Sequence, residues 1–315
     1  MTGLDKIVFH DVSRFYGEVL GVNRVNLEIG RGITSLVGPN GSGKTTLMNL
    51  ITGLIRPTQG HITVFGMAPH GSPEFLRNIG YCSQYDSFPS GATGYSFICD
   101  LLRVHGLSRA QASSLTAEAL ERVGLTASAQ RKIAGYSKGM RQRIRFAQAI
   151  AHKPAVLVLD EPLNGLDPMA RAEAIALFEA LGRQGMHVII SSHILEEVDQ
   201  ISNTIVMMSS GYVVAQGKIG QVRSELLNQP LQILVRCSRP SMLASHVFAQ
   251  DHVVEAKLNS DGAGVLVRTR NPEQFYLLLN RLVADGVIDL EAVAPADEDM
   301  NSIYQYLIGQ DGGSA

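Results

Sequence analysis

Residues 36–54 read LVGPNGSGKTTLMNLITGL, and in this stretch glycine, proline and asparagine separate an apolar run from a helical pattern. Before it, residues 4–37 alternate apolar and polar positions in short segments, which predicts β-strands. After it, residues 44–54 have helical spacing, and Gly53 and Pro57 predict the helix end. The sequence therefore predicts a strand, a glycine loop and a helix in succession.

Residues 38–45 match the pattern G-x-x-x-x-G-K-[ST] between a strand and a helix. Side chains at Gly41 and Gly43 would hold the backbone away from a polyphosphate, whereas bare N–H groups can surround it. Lys44 is expected to reach the β- and γ-phosphates, and Thr45 to offer a hydroxyl to Mg²⁺. A plain glycine-rich turn would not need this lysine and threonine, so we predict a nucleoside triphosphate with magnesium as the ligand.

Two acids follow a continuous apolar run in VLVLDE at 156–161. A buried strand that ends there places Asp160 and Glu161 at the carboxyl edge of a sheet, where ligands bind in α/β folds. Asp160 suits the magnesium shell, and Glu161 suits the polarisation of a water in line with the γ-phosphate. The alternative is that the acids only begin a turn at Pro162.

Two further polar residues follow predicted strands. His193 ends HVIISSH at 187–193, and Gln84 lies in GYCSQYDSF at 80–88. Taken alone, a histidine at a strand end is more often structural than catalytic, and a glutamine after a strand is usually only solvated. The function of these two residues can therefore be predicted only together with the other motifs.

The order of predicted elements indicates two domains. Apolar strands that alternate with helices predict a parallel sheet covered on both faces, and residues 97–150 read as a mostly helical insert. After residue 229 the pattern restarts with the order strand, helix, strand, strand, helix, strand and a last helix to Leu307. That βαββαβ order is the ferredoxin-like arrangement, which predicts a small second domain.

The composition excludes several classes of protein. Of 315 residues, 27 are Lys or Arg and 29 are Asp or Glu, so the net charge of −2 provides no polybasic surface for nucleic acid. Three scattered cysteines fit neither a disulfide framework nor a metal cluster, which indicates a reducing cytosol. We find no secretory signal and no apolar run that spans a bilayer, so membrane contact is expected only through a partner.

Taken together, these motifs resemble the nucleotide-binding subunit of ABC transporters over residues 4–225. Residues 38–46 are similar to the Walker A motif, 157–161 to Walker B, 136–140 to the signature motif, and 164–168 to the D-loop. The resemblance implies three catalytic residues, Glu161, His193 and the Q-loop Gln84. It implies magnesium contacts at Thr45, Gln84 and Asp160. It implies ATP contacts at Tyr16, Gly38, Pro39, Asn40, Gly41, Ser42, Gly43, Lys44, Thr45, Thr46, Ser137, Gly139 and Asp167.

The signature YSKGM departs from the commonest family form, LSGGQ. Tyr136, Lys138 and Met140 differ, whereas Ser137 and Gly139 are retained. The retained pair supplies the hydroxyl and the open backbone that suit a γ-phosphate at a helix N-terminus. The departure places the rate of hydrolysis in question rather than nucleotide binding.

The resemblance implies an α/β P-loop cassette with a parallel-sheet core, an N-terminal antiparallel β subdomain and a helical subdomain. We expect this cassette at 1–228, its helical subdomain at about 86–150, and a ferredoxin-like α+β domain at 229–315 with a disordered tail at about 310–315. The family pairs two cassettes head to tail around ATP and couples them to a permease. A homodimer is therefore expected, at the cytoplasmic face of the inner cell membrane, with a separate permease chain and no nucleic acid.

Export is the favoured direction, because residues 191–217 look most like exporter cassettes. An importer ATPase with a C-terminal regulatory domain is the first alternative, since ferredoxin-like tails also occur there. A cassette ATPase that is not linked to transport would predict twin cassettes, a coiled coil or a basic face. A regulatory binder that does not hydrolyse nucleotide would lack the equivalents of Glu161 or His193, and both are present.

Overall fold

The structure, a computed structural model, describes residues 5–70, 72–202, 204–219, 230–259 and 262–295. Its contacts divide the chain into two units, residues 1–219 and 220–315. The boundary expected at residues 228 and 229 lies outside the described residues. So do the last predicted helix, which ends at Leu307, and the tail expected at 310–315.

A six-stranded sheet forms the centre of the first unit, in the order β5-β6-β7-β3-β8-β9. The first five strands in this spatial order, β5, β6, β7, β3 and β8, run parallel to one another. The edge strand β9 runs antiparallel to β8. The predicted parallel sheet is therefore present, with one antiparallel edge strand added by a tight turn. The bounds are β3 (Gly32–Val37), β5 (Ile79–Cys82), β6 (Val156–Leu159), β7 (His187–Ser192), β8 (Thr204–Ser209) and β9 (Tyr212–Lys218).

Both faces of the sheet are buried at its central strands β6 and β7, as the continuous apolar runs predict. Along β6 and β7, alternate residues enter two different hydrophobic cores. Leu157 and Leu159 pack with the helices of the helical region, whereas Val156 and Val158 pack with α1 (Lys44–Ile51) and the N-terminal sheet. A strand buried on both sides is rigid, so the residues at its end are held in fixed positions.

A second sheet of three antiparallel strands has the order β2-β1-β4. Its strands are β1 (Ile7–Tyr16), β2 (Val19–Ile29) and β4 (Gln59–Val64). The turn between β1 and β2 follows Tyr16 and has Gly17 at a φ of 64°, a conformation that glycine adopts easily. This sheet confirms the N-terminal antiparallel β region.

Helices α3 (Gly94–Val104), α4 (Arg109–Arg122) and α5 (Lys138–Ile150) form the helical region between β5 and β6. The remaining helices of this unit are α2 (Pro73–Arg77), α6 (Pro168–Arg183) and α7 (Leu195–Ile201). The interruptions predicted near Gly124 and Gly135 are present, and Gly106 adds a further one with a φ of 89°. Within the described residues, no helix combines the length and the apolar character needed to cross a membrane.

The second unit has a four-stranded antiparallel sheet in the order β11-β12-β10-β13. Its elements follow the predicted order βαββαβ: β10 (Leu231–Cys237), α8 (Pro240–Phe248), β11 (Val253–Leu258), β12 (Gly264–Thr269), α9 (Pro272–Ala284) and β13 (Leu290–Pro295). Alternate residues of β10 and β12 pack against both helices. Its core is therefore separate from the two cores of the first unit.

Candidate active site

The candidate residues meet at the carboxyl edge of the central sheet. β6 lies between β5 and β7, and β7 lies next to β3. Gln84 follows β5, Glu161 follows β6, His193 follows β7, and the loop at 38–43 follows β3. Parallel neighbours end on the same side, so four separate sequence motifs reach one edge.

The loop after β3 is closed by Lys44. Its Nζ donates hydrogen bonds to the Gly38 carbonyl at 2.5 Å and to the Pro39 carbonyl at 3.1 Å. The side chain is 5% exposed, and burial lowers the pKa of Lys44, while the carboxylates of Glu161 and Asp160 oppose this shift. A buried cation at the start of a helix provides a strong attraction for anions.

Gly43 and Gly41 serve different purposes in this loop. Gly43 has a φ of 103°, and a Cβ there would lie 2.6 Å from the Gly21 carbonyl oxygen. Gly41 has a φ of 82°, but a Cβ there would meet no described atom within 4 Å. Both glycines were expected to allow the approach of a polyphosphate, but at Gly43 the protein's own backbone already excludes a side chain.

Asp160 connects helix α1, which follows the phosphate loop, to strand β7. It is 3% exposed, and its Oδ2 accepts a hydrogen bond from Thr45 Oγ1 at 2.9 Å. Its Oδ1 accepts one from Ser191 Oγ at 2.7 Å, and that hydroxyl in turn accepts from the Glu161 N–H at 2.7 Å. Thr45 and Asp160, two of the three residues expected at the metal, are therefore in direct contact.

The carboxylate of Glu161 is the meeting point of three polar side chains. Gln84 Nε2 donates to Oε2 at 3.3 Å, and Asn164 Nδ2 donates to the same oxygen. His193 Nδ1 lies 3.5 Å from Oε1, too far for a good hydrogen bond. Glu161 has a φ of 47°, so the chain turns sharply after β6 and separates this side chain from Asp160.

The oxygen and nitrogen groups at this edge fit a nucleoside triphosphate and Mg²⁺. Ser42 Oγ is buried and finds no hydrogen-bond partner among the described residues. A phosphate oxygen in the loop would satisfy this hydroxyl, and the space beside Gly41 is open to it. The Thr45 hydroxyl and the Asp160 carboxylate are hard oxygen ligands of the kind that Mg²⁺ prefers.

Tyr16 lies beside the loop helix at the end of β1. Its hydroxyl is 3.5 Å from Thr46 Oγ1, and its side chain is 42% exposed. The Arg14 guanidinium lies 4.9 Å from the centre of the ring. An exposed ring close to Thr46 suits the stacking of a base, and the expected contact of Tyr16 with ATP stays a prediction.

The signature residues lie at the start of α5 and not at the loop. Ser137 is the N-cap, and its Oγ accepts a hydrogen bond from the Met140 N–H at 3.2 Å. Tyr136, which replaces the family's leucine, is buried, and its hydroxyl donates to the Ser128 carbonyl at 2.7 Å. Burial raises the pKa of Tyr136. No hydrogen bond within the described chain joins Ser137 or Gly139 to residues 38–46.

Asp167 is the N-cap of α6, where its Oδ1 accepts a hydrogen bond from the Ala170 N–H at 2.9 Å. Asn40 is exposed at the tip of the loop. All of the expected nucleotide contacts, including those of Asn40, Asp167, Ser137 and Gly139, stay predictions.

Neither Ser191 nor the contact of Asn164 with Glu161 was predicted from the sequence. Ser191 is 1% exposed and lies in β7, one position beyond the Leu159 and Ile190 pair that aligns β6 with β7. The signal was present in the pair of serines before His193, but it needs the strand register to be read. Asn164 belongs to the segment NGLDP and turns back to Glu161 within three residues.

Comparison with known proteins gives concordant matches. A family described as "ABC transporter" matches residues 22–164. The daunorubicin/doxorubicin resistance ATP-binding protein DrrA of Streptomyces peucetius is 30% identical, over 94% of this chain and 90% of that protein. The bacitracin transport ATP-binding protein BcrA of Enterococcus faecalis is 30% identical, over 96% of each chain. A solved dimeric bacterial ABC transporter cassette has a TM-score of 0.62 and 25% identity, over 68% of this chain and 98% of its own.

Proposed function

Since the chain belongs to the ABC transporter family as an ATP-binding subunit, we propose that it hydrolyses Mg-ATP to power a membrane exporter. The permease is a separate chain, and this subunit binds it from the cytoplasmic face of the cell membrane. The direction of transport is inferred from relatives whose names refer to drug resistance and bacitracin transport.

One observation supports this proposal above the others, namely the convergence of polar groups on Glu161. A carboxylate that accepts hydrogen bonds from two amides and faces a histidine is held in a single orientation. Asp160 directly precedes Glu161 in the chain, and its contact with Thr45 supports the proposed metal position. A nucleotide binder without hydrolysis would not need this arrangement.

Each residue then has a role in the reaction. Lys44 and the loop amides would bind the β- and γ-phosphates, and Thr45, Asp160 and the side-chain oxygen of Gln84 would hold Mg²⁺. Mg²⁺, when bound, neutralises charge on the phosphate oxygens. Glu161 orients the attacking water and accepts its proton, and His193 donates a hydrogen bond toward the γ-phosphate.

We place the second half of each site on another copy of the chain. Ser137 and Gly139 present a hydroxyl and an open backbone at the start of α5, and within the described residues neither makes a hydrogen bond to the phosphate loop of its own subunit. Two subunits arranged head to tail would bring these groups to each other's γ-phosphate. ATP then bridges the dimer, and hydrolysis removes the bridge.

Glu161→Gln tests this function directly. The amide keeps the size of the side chain but cannot accept a proton, so we expect ATP binding with steady turnover lowered at least about a hundredfold. The variant should accumulate as an ATP-dependent dimer in size-exclusion chromatography. Lys44→Ala is the contrasting variant, because it should lose nucleotide binding itself. Undiminished phosphate release by Glu161→Gln would refute the assignment.

A pull-down from detergent-solubilised membranes tests the coupling to transport. Tagged wild-type protein should retain a hydrophobic chain with several membrane spans. Capture of ribosomal or DNA-bound material without such a chain would instead favour the cassette ATPase that is not linked to transport.

A further inference from the structure

Arg141 joins two segments that are far apart in sequence. Its Nε donates to Asp86 Oδ2 at 2.8 Å, and its Nη1 donates to the Tyr136 carbonyl oxygen at 2.8 Å. Asp86 follows β5, whereas Tyr136 precedes the N-cap of α5. A single planar guanidinium therefore holds both segments through two different nitrogens, which lysine cannot reproduce.

Each of these segments leads to one half of the candidate site. Asp86 lies two residues after Gln84, whose amide donates to Glu161. Tyr136 lies directly before Ser137, whose backbone carbonyl also accepts from the Arg141 N–H at 2.9 Å. A short path of contacts thus runs from the carboxylate that orients water to the hydroxyl presented at the subunit surface.

We propose that Asp86 and Arg141 are positioning residues that couple the presentation of Ser137 to the partner's nucleotide with the alignment of Gln84 on Glu161. The inference rests on the proposed function, and it adds a route between the two nucleotides of a dimer. When the partner's γ-phosphate engages Ser137, the turn at Tyr136 is fixed. Arg141 then fixes Asp86, and the segment that carries Gln84 is held against Glu161.

The location of the ion pair argues against a merely structural role. The side chains of Arg141 and Asp86 are 33% and 41% exposed, and exposed ion pairs contribute little to folding stability. The structure also offers a matched pair on the same helix. Arg143 Nη2 lies 2.8 Å from Glu173 Oε2, with side-chain exposures of 33% and 52%. Glu173 lies in α6 and contacts neither Gln84 nor the turn before Ser137 by any hydrogen bond within the described residues.

The test compares full-length variants of the two pairs. In Asp86→Asn we expect kcat for ATP to fall about tenfold, because Gln84 is no longer held on Glu161, with little change in KM. Cooperativity in ATP should also fall toward a Hill coefficient of about 1, because the link between the sites is cut. Glu173→Gln is the control and should match the wild type in kcat, KM and cooperativity. Both variants should match it in melting temperature.

Two more variants separate the bridge from a simple charge. Arg141→Lys keeps the charge but reaches Asp86 or Tyr136 and not both, so its kcat should lie between those of the wild type and Asp86→Asn. The double variant Asp86→Asn with Arg141→Gln should be no slower than the slower single variant, because both changes break the same link. Additive losses in the double variant would overturn the coupling.

The outcomes distinguish this inference from the proposed function. If the wild type shows no ATP turnover, the proposed function fails and the inference fails with it. If the wild type turns over ATP and Asp86→Asn behaves like Glu173→Gln, only the inference is overturned. If Asp86→Asn loses activity together with melting temperature, a structural role replaces positioning.

Discussion

At the scale of single residues, Ser191 contacts both acidic residues of the site. Its hydroxyl donates to Asp160 and accepts from the Glu161 N–H, so one oxygen fixes both acids. Glu161 is held in a left-handed backbone conformation that costs about 1–3 kcal/mol in a residue other than glycine. The hydrogen bond to Ser191 is one of the contacts that stabilise this conformation.

Ser191→Ala should therefore damage catalysis as well as stability. Loss of both hydrogen bonds leaves Asp160 under-satisfied, and we expect the free energy of unfolding to fall by about 1–3 kcal/mol. The Mg²⁺ concentration for half-maximal ATPase should rise and kcat should fall, since both acids are displaced. Urea denaturation and a magnesium titration of ATPase activity measure the two effects.

Ser13 provides a matched control in β1. It is also buried, donates to Asn23 Oδ1 at 3.1 Å and accepts from the Arg24 N–H at 2.9 Å. Ser13→Ala should lose a similar amount of stability and keep the magnesium dependence. If the two alanine variants have the same kinetics, Ser191 does not organise the acids.

Residue types could be predicted at this scale, but contacts could not. Gln84, Glu161 and His193 lie together at one edge, as their motifs indicated, because each follows a strand that ends there. The Asp86 and Arg141 pair gave no such signal. Its members are 55 residues apart and belong to no common pattern, so only the fold reveals them.

At the scale of elements, Asp167 shows how one side chain can serve both a helix and a site. Its carboxylate caps α6, and Pro168 occupies the first helical position. The cap accounts for an aspartate at this position without any nucleotide. The expected role at the dimer interface therefore needs a variant that keeps the cap.

Asp167→Ser separates these roles, because serine caps helices almost as well as aspartate. Asp167→Ala should lose about 1 kcal/mol of stability, and Asp167→Ser should recover it. If Asp167 also acts at the interface, Asp167→Ser should stay slow in ATP turnover. Asn271→Ala removes a similar cap before Pro272 in α9 and should leave turnover unchanged. Full activity of Asp167→Ser would show that Asp167 acts only as the N-cap of α6.

Strands with strong apolar patterns were predicted, and weaker ones were not. β6 and β7 follow the predicted segments closely because burial on both faces leaves few polar positions in them. β4 received no prediction, since only Ile62 and Val64 of QGHITV are buried. β2 begins at Val19, which is 67% exposed and gives little apolar signal, because Val19 and its neighbours pair with the end of β1.

At the scale of the whole molecule, the strand order could not be read from the chain. The sequence predicted parallel strands, but the insertion of β7 between β6 and β3 depends on how distant connections cross the sheet. The second unit was easier, because its βαββαβ order and its hairpin are local. Sequence patterns thus predicted the parts better than their arrangement.

Acid should destabilise the first unit through three histidines that are buried or partly buried. Burial lowers the pKa of His152, His105 and His187 below the ordinary value of 6.5. These side chains stay neutral in the native state, while the unfolded chain takes up protons below that value. Their contribution to stability is therefore complete above pH 6.5 and is lost as the pH falls toward the folded-state pKa.

His152→Gln tests this linkage. His152 Nε2 lies 2.9 Å from the Ile79 carbonyl oxygen, and a glutamine amide can donate to the same acceptor. Between about pH 7.5 and 5.5 the melting temperature of the variant should fall less than that of the wild type. Parallel melting curves with an identical pH dependence would contradict the prediction.

Strand β7 also acts as a spacer of fixed width. Neighbouring strands lie about 4.8 Å apart, so the phosphate loop after β3 and the acids after β6 emerge about 9.6 Å apart. The hydrogen bonds between the strands keep this separation fixed. Substitutions on the surface therefore do not change the distance between the phosphate loop and the acids, which the polyphosphate chain has to match. Variants with a different rate of ATP hydrolysis are therefore expected to carry their changes in the loops, because the spacing of the strands that hold these loops is fixed.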